Sequence, residues 1–396
     1  MRVIVAPDSF KGSVDAATAA EAIGSGWRAV RPHDEVGLLP QADGGEGTLD
    51  AIGAAVAGSR LHDVGPVHGP DGRSVEGHWL ELPDGTAVVE LALSSGLPLM
   101  ARLDPLGATT RGLGEVIASA LDAGARALVI GLGGSASTDG GAGALRALGL
   151  SLRDASGAAL ADGGGALAQL AEVDRSALRP PPPGGVRLLS DVTAPLLGPS
   201  GAAAVFGPQK GAGPAEIAQL EAGLARWASE LGGVLTVKDG PSVSERNGDL
   251  TVTPGSGAAG GTAYGFLAAW GAAIESGATA IAALTGLAAA AASADLIITG
   301  EGRFDATSSG GKVVGNVLAL ADSHRTPAAV IAGSLETAPA APDGREVWAL
   351  GLVDVAGSLE RALDDPTRWL YAAGMRAAHE LAPPPAATDQ PVGRPT

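Results

Sequence analysis

The chain has 396 residues, 45% hydrophobic but only 3% aromatic, and 43 acidic against 26 basic side chains give a formal net charge of −17. That length exceeds one ordinary core, so two domains are expected, filled by Ala, Val, Leu and Ile rather than by rings. The negative balance excludes nonspecific nucleic-acid or anionic-membrane binding, which needs a basic face, and the absence of cysteine excludes disulfides, thiolate catalysis and thiolate-bound zinc.

In chain order, "RVIVA" (2–6) is too short an apolar run for a leader and reads as a first buried strand. "VDAATAAEAIGSGWRAV" (14–30) has helical spacing with Ser13 as its N-cap. "EVGLLP" (35–40) predicts a second strand, and a helix through Ala57 follows the loop "QADGGEG". This β-α-β-α order implies a parallel sheet with helices on both faces. From about residue 61 the turn signals Pro70-Asp71-Gly72 and Pro83-Asp84-Gly85 separate short alternating runs, the pattern of an antiparallel meander. A helix over 112–123, the strand "ALVIGL" (127–132), a glycine loop and a helix from near Gly140 come next. A stiff "PPPPGG" (180–185) leads into a strand over 186–191 and a helix over 214–231.

Gly277–Ala294 is the longest apolar stretch, but its alanine, glycine and threonine content predicts a buried strand and helix, not a membrane span. "ADLIITG" (294–300), "AAVIAG" (328–333) and "EVWALGL" (346–352) restore the buried-strand texture of the opening. The fold class is therefore α/β in two domains. A Rossmann-like parallel-sheet domain is formed by both chain ends (1–62 and 290–381), with a mixed α/β domain (63–289) inserted and a disordered Pro-rich tail over 382–396. A cytoplasmic protein without a membrane partner is expected, and a homodimer stays open.

The chemistry-bearing residues sit beside glycine. The chain has four lysines, and three occupy special contexts: Lys11 in "DSFKGS", Lys210 in "GPQKGAG" and Lys312 in "SSGGKVVG". Lys312 precedes a helix, where a cation is mildly disfavoured unless it shares an anion with the helix N-terminus. The alternative is a solvated surface lysine, the reading given to Lys238. Carboxylates follow strands in the same way: Asp8, then Asp43 and Glu46, Asp191, and Glu301 with Asp305. Such groups suit a divalent cation and a substrate hydroxyl, although an Asp after a strand is commonly a cap or turn former. "GLGGSASTDGGAG" (131–143) offers Ser135, Ser137, Thr138 and free N–H groups for an anion, or is a tight turn needing small residues.

Two fingerprints are tested. A Walker A loop is absent, because Val313 follows Lys312 and Ala306 stands where its first glycine belongs. "GSGAAG" (255–260) matches G-x-G-x-x-G, with Glu275 beyond it, but Pro254 precedes it and no strand follows. It leaves a nicotinamide-dependent hydroxy-acid dehydrogenase as a rival reading. A non-catalytic anion-binding protein is another.

"APDSFKGS" (6–13), "ADGGEGT" (42–48), "GLGGSASTDGGAG", "GPSGAAAVFGPQKGA" (198–212), "PGSGAAGG" (254–261) and "DLIITGEGRFDATSSGGKVVG" (295–315) together resemble the bacterial glycerate kinase type 1 family, over Met1 to about Leu381. The resemblance implies a two-domain α/β enzyme that phosphorylates D-glycerate with ATP and Mg²⁺, usually to 2-phosphoglycerate. Ala194 in "DVTAPL", where an asparagine is expected, and "GEGRFDATS", with Ser308 in its last position, depart from the family pattern.

On that resemblance, phosphoryl transfer calls for positioning and charge neutralisation. Lys11 and Arg303, with Ser9 and Glu46, are candidates for glycerate. Gly133, Gly134, Ser135, Ser137, Lys210, Gly257, Gly260 and Lys312 are candidates for ATP, and Asp191 and Asp305 for Mg²⁺. Asp43, then Asp8, would orient or deprotonate the attacking hydroxyl, with Lys11 and Asp191 completing the catalytic set.

Overall fold

The computed structural model describes residues 1–232, 249–308 and 312–382. Lys238 and the tail from 383 onward, both read from sequence above, lie outside the described residues.

Two sheets organise the chain. The first joins β1 (Arg2–Val5), β2 (Glu35–Leu38), β11 (Leu296–Phe304), β12 (Ala328–Leu335) and β13 (Trp348–Gly351) in the order β13-β12-β11-β1-β2, all parallel. Both chain ends thus build one sheet, as the buried-strand texture predicts. Counted within the sheet, its order is 2-1-3-4-5, a doubly wound arrangement whose switch point lies between β1 and β11. Strand alternation divides its side chains. Val3 and Val5 face the helices Ala16–Val30 and Pro366–Leu381, while Ile4 and Ala6 face Gly277–Leu284 and Val313–Ser323.

The second sheet has the order β10-β9-β6-β5-β4-β3. β3 (Arg60–His68), β4 (Ser74–Glu81) and β5 (Thr86–Glu90) form the expected antiparallel meander. β5 then pairs in parallel with β6 (Ala127–Gly131), followed by β9 (Val186–Leu189) and β10 (Ala273–Glu275). A small hairpin of β7 (Ser151–Asp154) and β8 (Leu170–Asp174) stands apart.

Two local expectations are corrected. The first helix starts at Ala16 and is capped by Asp15, whose carboxylate accepts from Thr18 N–H at 2.7 Å; Ser13 Oγ donates instead to the Phe10 carbonyl at 2.8 Å. The reason is a closed turn, the Phe10–Val14 bridge, which uses Ser13 before the helix begins. Gly277–Ala294 holds no strand. It forms the helices Gly277–Leu284 and Leu287–Ala291, broken at Gly286 with φ +73°, because alanine favours helix and Ser276 supplies a cap.

The 277–284 helix is wedged between the sheets. Ala278 and Ala282 pack on Ile4 and Ile297 of the first, while Ala280 and Ile281 pack with Leu189 and Val129 of the second. Its entry is tight. A Cβ on Gly277 would stand 1.9 Å from the Asp43 carbonyl oxygen, and one on Gly133 would stand 2.4 Å from Gly45 Cα. The loops after β2 and β6 thus touch backbone to backbone, and Gly133 N–H donates to the Gly44 carbonyl at 3.0 Å.

Gly277→Ala should therefore lower the urea midpoint, by about 1–3 kcal/mol of overpacking. Gly53→Ala, in the Thr48–Ala55 helix with its nearest neighbour, Leu80, at 3.6 Å, should raise stability by about 0.5–1 kcal/mol. Equal midpoints for the two variants would contradict the contact.

Candidate active site

Both sheets aim their carboxyl ends at one cleft, the place where α/β sheets receive ligands. Its first lobe, about 490 Å³, is lined by Asp8, Ser9, Lys11, Asp43, Glu301, Arg303 and Lys312 from loops and strands of the first sheet. A second lobe of about 490 Å³ shares Ser9, Lys11 and Asp43 with it and adds Glu46, Gly133 and Gly134. A third, about 360 Å³, shares Glu46, Gly133 and Gly134 with the second and adds Ser135, Ser190 and Lys210. Groups as distant in sequence as Asp8 and Lys312 thus line one space.

Of the expected carboxylates, Asp8, Asp43 and Glu301 line the first lobe, whereas Asp191 and Asp305 are not among the residues lining the three lobes. Asp8 follows β1, is 9% exposed, and accepts from Ser9 N–H at 2.7 Å. Burial, and next the Asp43 charge, push its pKa up to about 7. Asp43 Oδ1 accepts from Gly45 N–H at 3.0 Å, which bends the loop so that Oδ2 lies 3.8 Å from Lys11 Nζ. Asp191 ends the β9 segment and accepts from Gly277 N–H at 2.9 Å, and its pKa is raised by desolvation and, less, by Asp43. Glu301 is raised chiefly by burial, with Lys312 and Lys11 opposing. Asp305 is turned into its own loop: Thr307 N–H and Oγ1 donate to Oδ1 at 2.8 and 2.7 Å, which lowers its pKa.

The cations form two poles. Lys11 and Lys312 stand exposed in the first lobe, and Lys312 is the N-cap residue of Val313–Ser323, with Nζ donating to Thr307 Oγ1 at 3.2 Å. Arg303 is a fork on Glu336, with two contacts of 2.9 Å. Lys210 differs in kind. It is 2% exposed, donates to Ser135 Oγ at 2.9 Å and to the Ser137 carbonyl, and burial lowers its pKa to about 7. Its hydrogen bonds go only to neutral oxygens, and the one charge that opposes the shift is the buried Asp139, so a further anion would stabilise the ammonium.

Other expected residues lie behind the wall. Ser137 is buried and meets Lys210 through its carbonyl. Gly257 is pressed on Pro195, and Gly260, at φ +64°, accepts from Gly140 N–H at 3.0 Å, so both glycines permit loop-to-loop packing. Ala259 between them faces the third lobe at φ +52°. The "GSGAAG" run follows a 3₁₀ turn, Leu250–Val252, not the strand that a dinucleotide fingerprint requires.

Two buried carboxylates escaped the sequence reading. Glu90, ending β5, accepts from Gly47 N–H at 3.0 Å and Leu49 N–H at 3.1 Å, which anchors the far side of the Asp43 loop. Its one signal is an acid within the apolar run "TAVVELAL". Asp139 accepts from Thr110, Gly141 and Gly143 and organises the 131–143 loop. Among the described residues no group of three or more His, Cys, Asp or Glu could hold a metal ion, and no helix is long and apolar enough to cross a membrane.

The model of the glycerate kinase family matches residues 3–382. A protein of Escherichia coli (strain K12) named glycerate 2-kinase is 42% identical over 339 residues, covering 85% of this chain and 86% of its own length. A Bacillus subtilis (strain 168) protein named glycerate kinase is also 42% identical, over 341 residues and 85% of each chain. Among solved structures, one from Salmonella typhimurium LT2, provisionally assigned as a glycerate kinase 2, superposes with a TM-score of 0.79 at 37% identity, over 96% of this chain and 97% of its own.

The raised carboxyls of Asp8 and Glu90 set a pH dependence. Their ordinary values are 3.8 and 4.5, and both titrate near 7 in the fold, so between these limits the folded chain binds more protons than the unfolded one. Their contribution is full below the ordinary values and is lost as pH rises through 7. Glu90→Gln should therefore gain on the parent in urea midpoint as pH rises from about 4.5 to 7, then keep a constant difference. A difference independent of pH would contradict the burial of a titrating Glu90.

Proposed function

The chain belongs to the glycerate kinase family, and from that premise we propose that it transfers the terminal phosphoryl group of ATP, with Mg²⁺, to the 2-hydroxyl of D-glycerate. The observation that carries the reading is the pair Asp8 and Asp43 in the first lobe, with Asp191 near enough for the Asp43 charge to raise it, in a cleft that holds Lys11 and Lys312 at one end and Lys210 at the other. A donor and an acceptor that are both anionic need such a division, because each requires its own cation while the reacting hydroxyl requires a base. The 2-position follows the name of the Escherichia coli relative, and a phosphoglycerate is the product either way.

The donor phosphates are assigned to the pole of Lys312 and Lys11. The acceptor carboxylate is assigned to Lys210 and the Gly133–Ser135 turn, where a small buried anion would repay a buried ammonium. This exchanges the roles that the resemblance suggests for Lys11 and Lys210, and Arg303, held by Glu336, stays at the rim. Glu46, shared by the second and third lobes, faces the acceptor. Asp43 takes the proton of the attacking hydroxyl, and Asp8, titrating near 7 beside it, can share that proton.

The mutual repulsion of these carboxylates fits a cation that arrives with the phosphates, since Mg²⁺ uses one or two carboxylates plus substrate oxygens. Asp191 would hold it, and Asp305, whose Oδ2 now lies 3.8 Å from Arg303 Nε, is a second candidate on the donor side. When bound, the ion neutralises charge developing on the phosphate.

Phosphorus NMR of a mixture with ATP, Mg²⁺ and D-glycerate tests the reading, and a new 2-phosphoglycerate resonance is expected. Glycerate binding without any phosphorylated product would leave an anion-binding protein. Asp43→Asn should lower turnover about 10²–10⁴-fold, while the thermal midpoint stays close to the parent's. The amide oxygen can still accept from Gly45 N–H, the bond seen at 3.0 Å. Retained turnover would reduce Asp43 to a turn former.

A further inference from the structure

The first lobe has a wall that glycerate chemistry does not explain. Besides Asp8, Lys11, Glu301 and Lys312, the lobe is lined by Leu359, Leu363 and Pro366. Leu359 and Leu363 are 57% and 58% exposed, and they lie four residues apart on one side of the helix Leu359–Asp364. Ala362, 3% exposed, anchors that helix on the core that also holds Leu370 and Ala373. The nearby positive charges are held elsewhere: Arg361 and Arg368 lie 5.4 and 4.9 Å from the Trp369 ring centroid, and Trp369 Nε1 donates to the Arg361 carbonyl at 2.7 Å. The wall therefore stays apolar within a lobe otherwise rich in charge.

A hydroxy acid of three carbons, bearing a carboxylate and two hydroxyls, has no apolar face with which to cover two leucines. A purine base has one on each side. The lobe also opens at the β1–β11 switch point, and about 490 Å³ lies in the range of nucleotide-sized pockets. We propose that Leu359, Leu363 and Pro366 form the nucleobase subsite of the phosphoryl donor, with the base lying on the leucines and the phosphates running toward Lys312 and Lys11. The inference rests on the donor reading above and adds the residues that select a nucleotide over a bare polyphosphate.

Calorimetric titration of the full chain with ATP, and separately with inorganic tripolyphosphate, tests it on the parent, Leu359→Gln and Leu363→Gln. Both side chains are exposed, so the thermal midpoint should not move. Each variant should bind ATP about tenfold more weakly, the worth of partly covering one leucine, and tripolyphosphate within about twofold of the parent. Unchanged ATP affinity in both variants overturns the subsite. So does an equal loss of tripolyphosphate, and so does a shift in sedimentation coefficient at constant ATP affinity, which would give the leucines to a second copy of the chain. A parent that binds D-glycerate but not ATP would overturn the donor reading itself.

Discussion

Everything at the cleft depends on a backbone contact that only glycine permits. The loop after β2, carrying Asp43, lies against the turn after β6 and the first residue of the 277–284 helix with no room for a Cβ at Gly133 or Gly277. The contact also explains why a chain with 61 glycines and 3% aromatic residues can be well packed. Alanine and glycine let loops and helices approach to backbone distance, which ring-filled cores prevent.

Convergence has an electrostatic cost, and the cost is informative. Asp8 and Asp191 are both raised, in part by Asp43, and Lys210 is lowered by burial. A nearby cation would relieve the raised carboxyls and a nearby anion the lowered lysine, a part that the buried Asp139 already plays for Lys210. Perturbed groups of both signs in one cleft are the arrangement expected of a site that handles two anionic substrates and a metal ion. Glu90 holds the Asp43 loop through Gly47 and Leu49, so the position of Asp43, the proposed base, is set from the second sheet although Asp43 follows a strand of the first.

Much of this was legible in sequence, for physical reasons that can be named. The five parallel strands are continuous apolar runs, and Lys11 and Lys312 beside glycine do reach the cleft because each follows or adjoins a strand of the first sheet. Local competition was less legible. Ser13 looks like a cap until the Phe10–Val14 bridge takes it, and "GATAIAAL" suits a strand or a helix until the wedge between two sheets selects the helix. Gly257 and Gly260 resemble phosphate-loop glycines but serve close packing. Leu359 and Leu363 have the spacing of an ordinary core face, and only the folded chain shows that they border a cleft.

The central claim is that the cleft separates its two anionic substrates, with the donor at Lys312 and the acceptor at Lys210. The most direct measurement is calorimetry of Lys210→Met and Lys312→Met, titrating ATP and D-glycerate separately into each. The account predicts that Lys312→Met weakens ATP about tenfold or more, the worth of a charge-assisted contact, and spares glycerate, while Lys210→Met does the reverse. Loss of glycerate in Lys312→Met with ATP binding intact would contradict it.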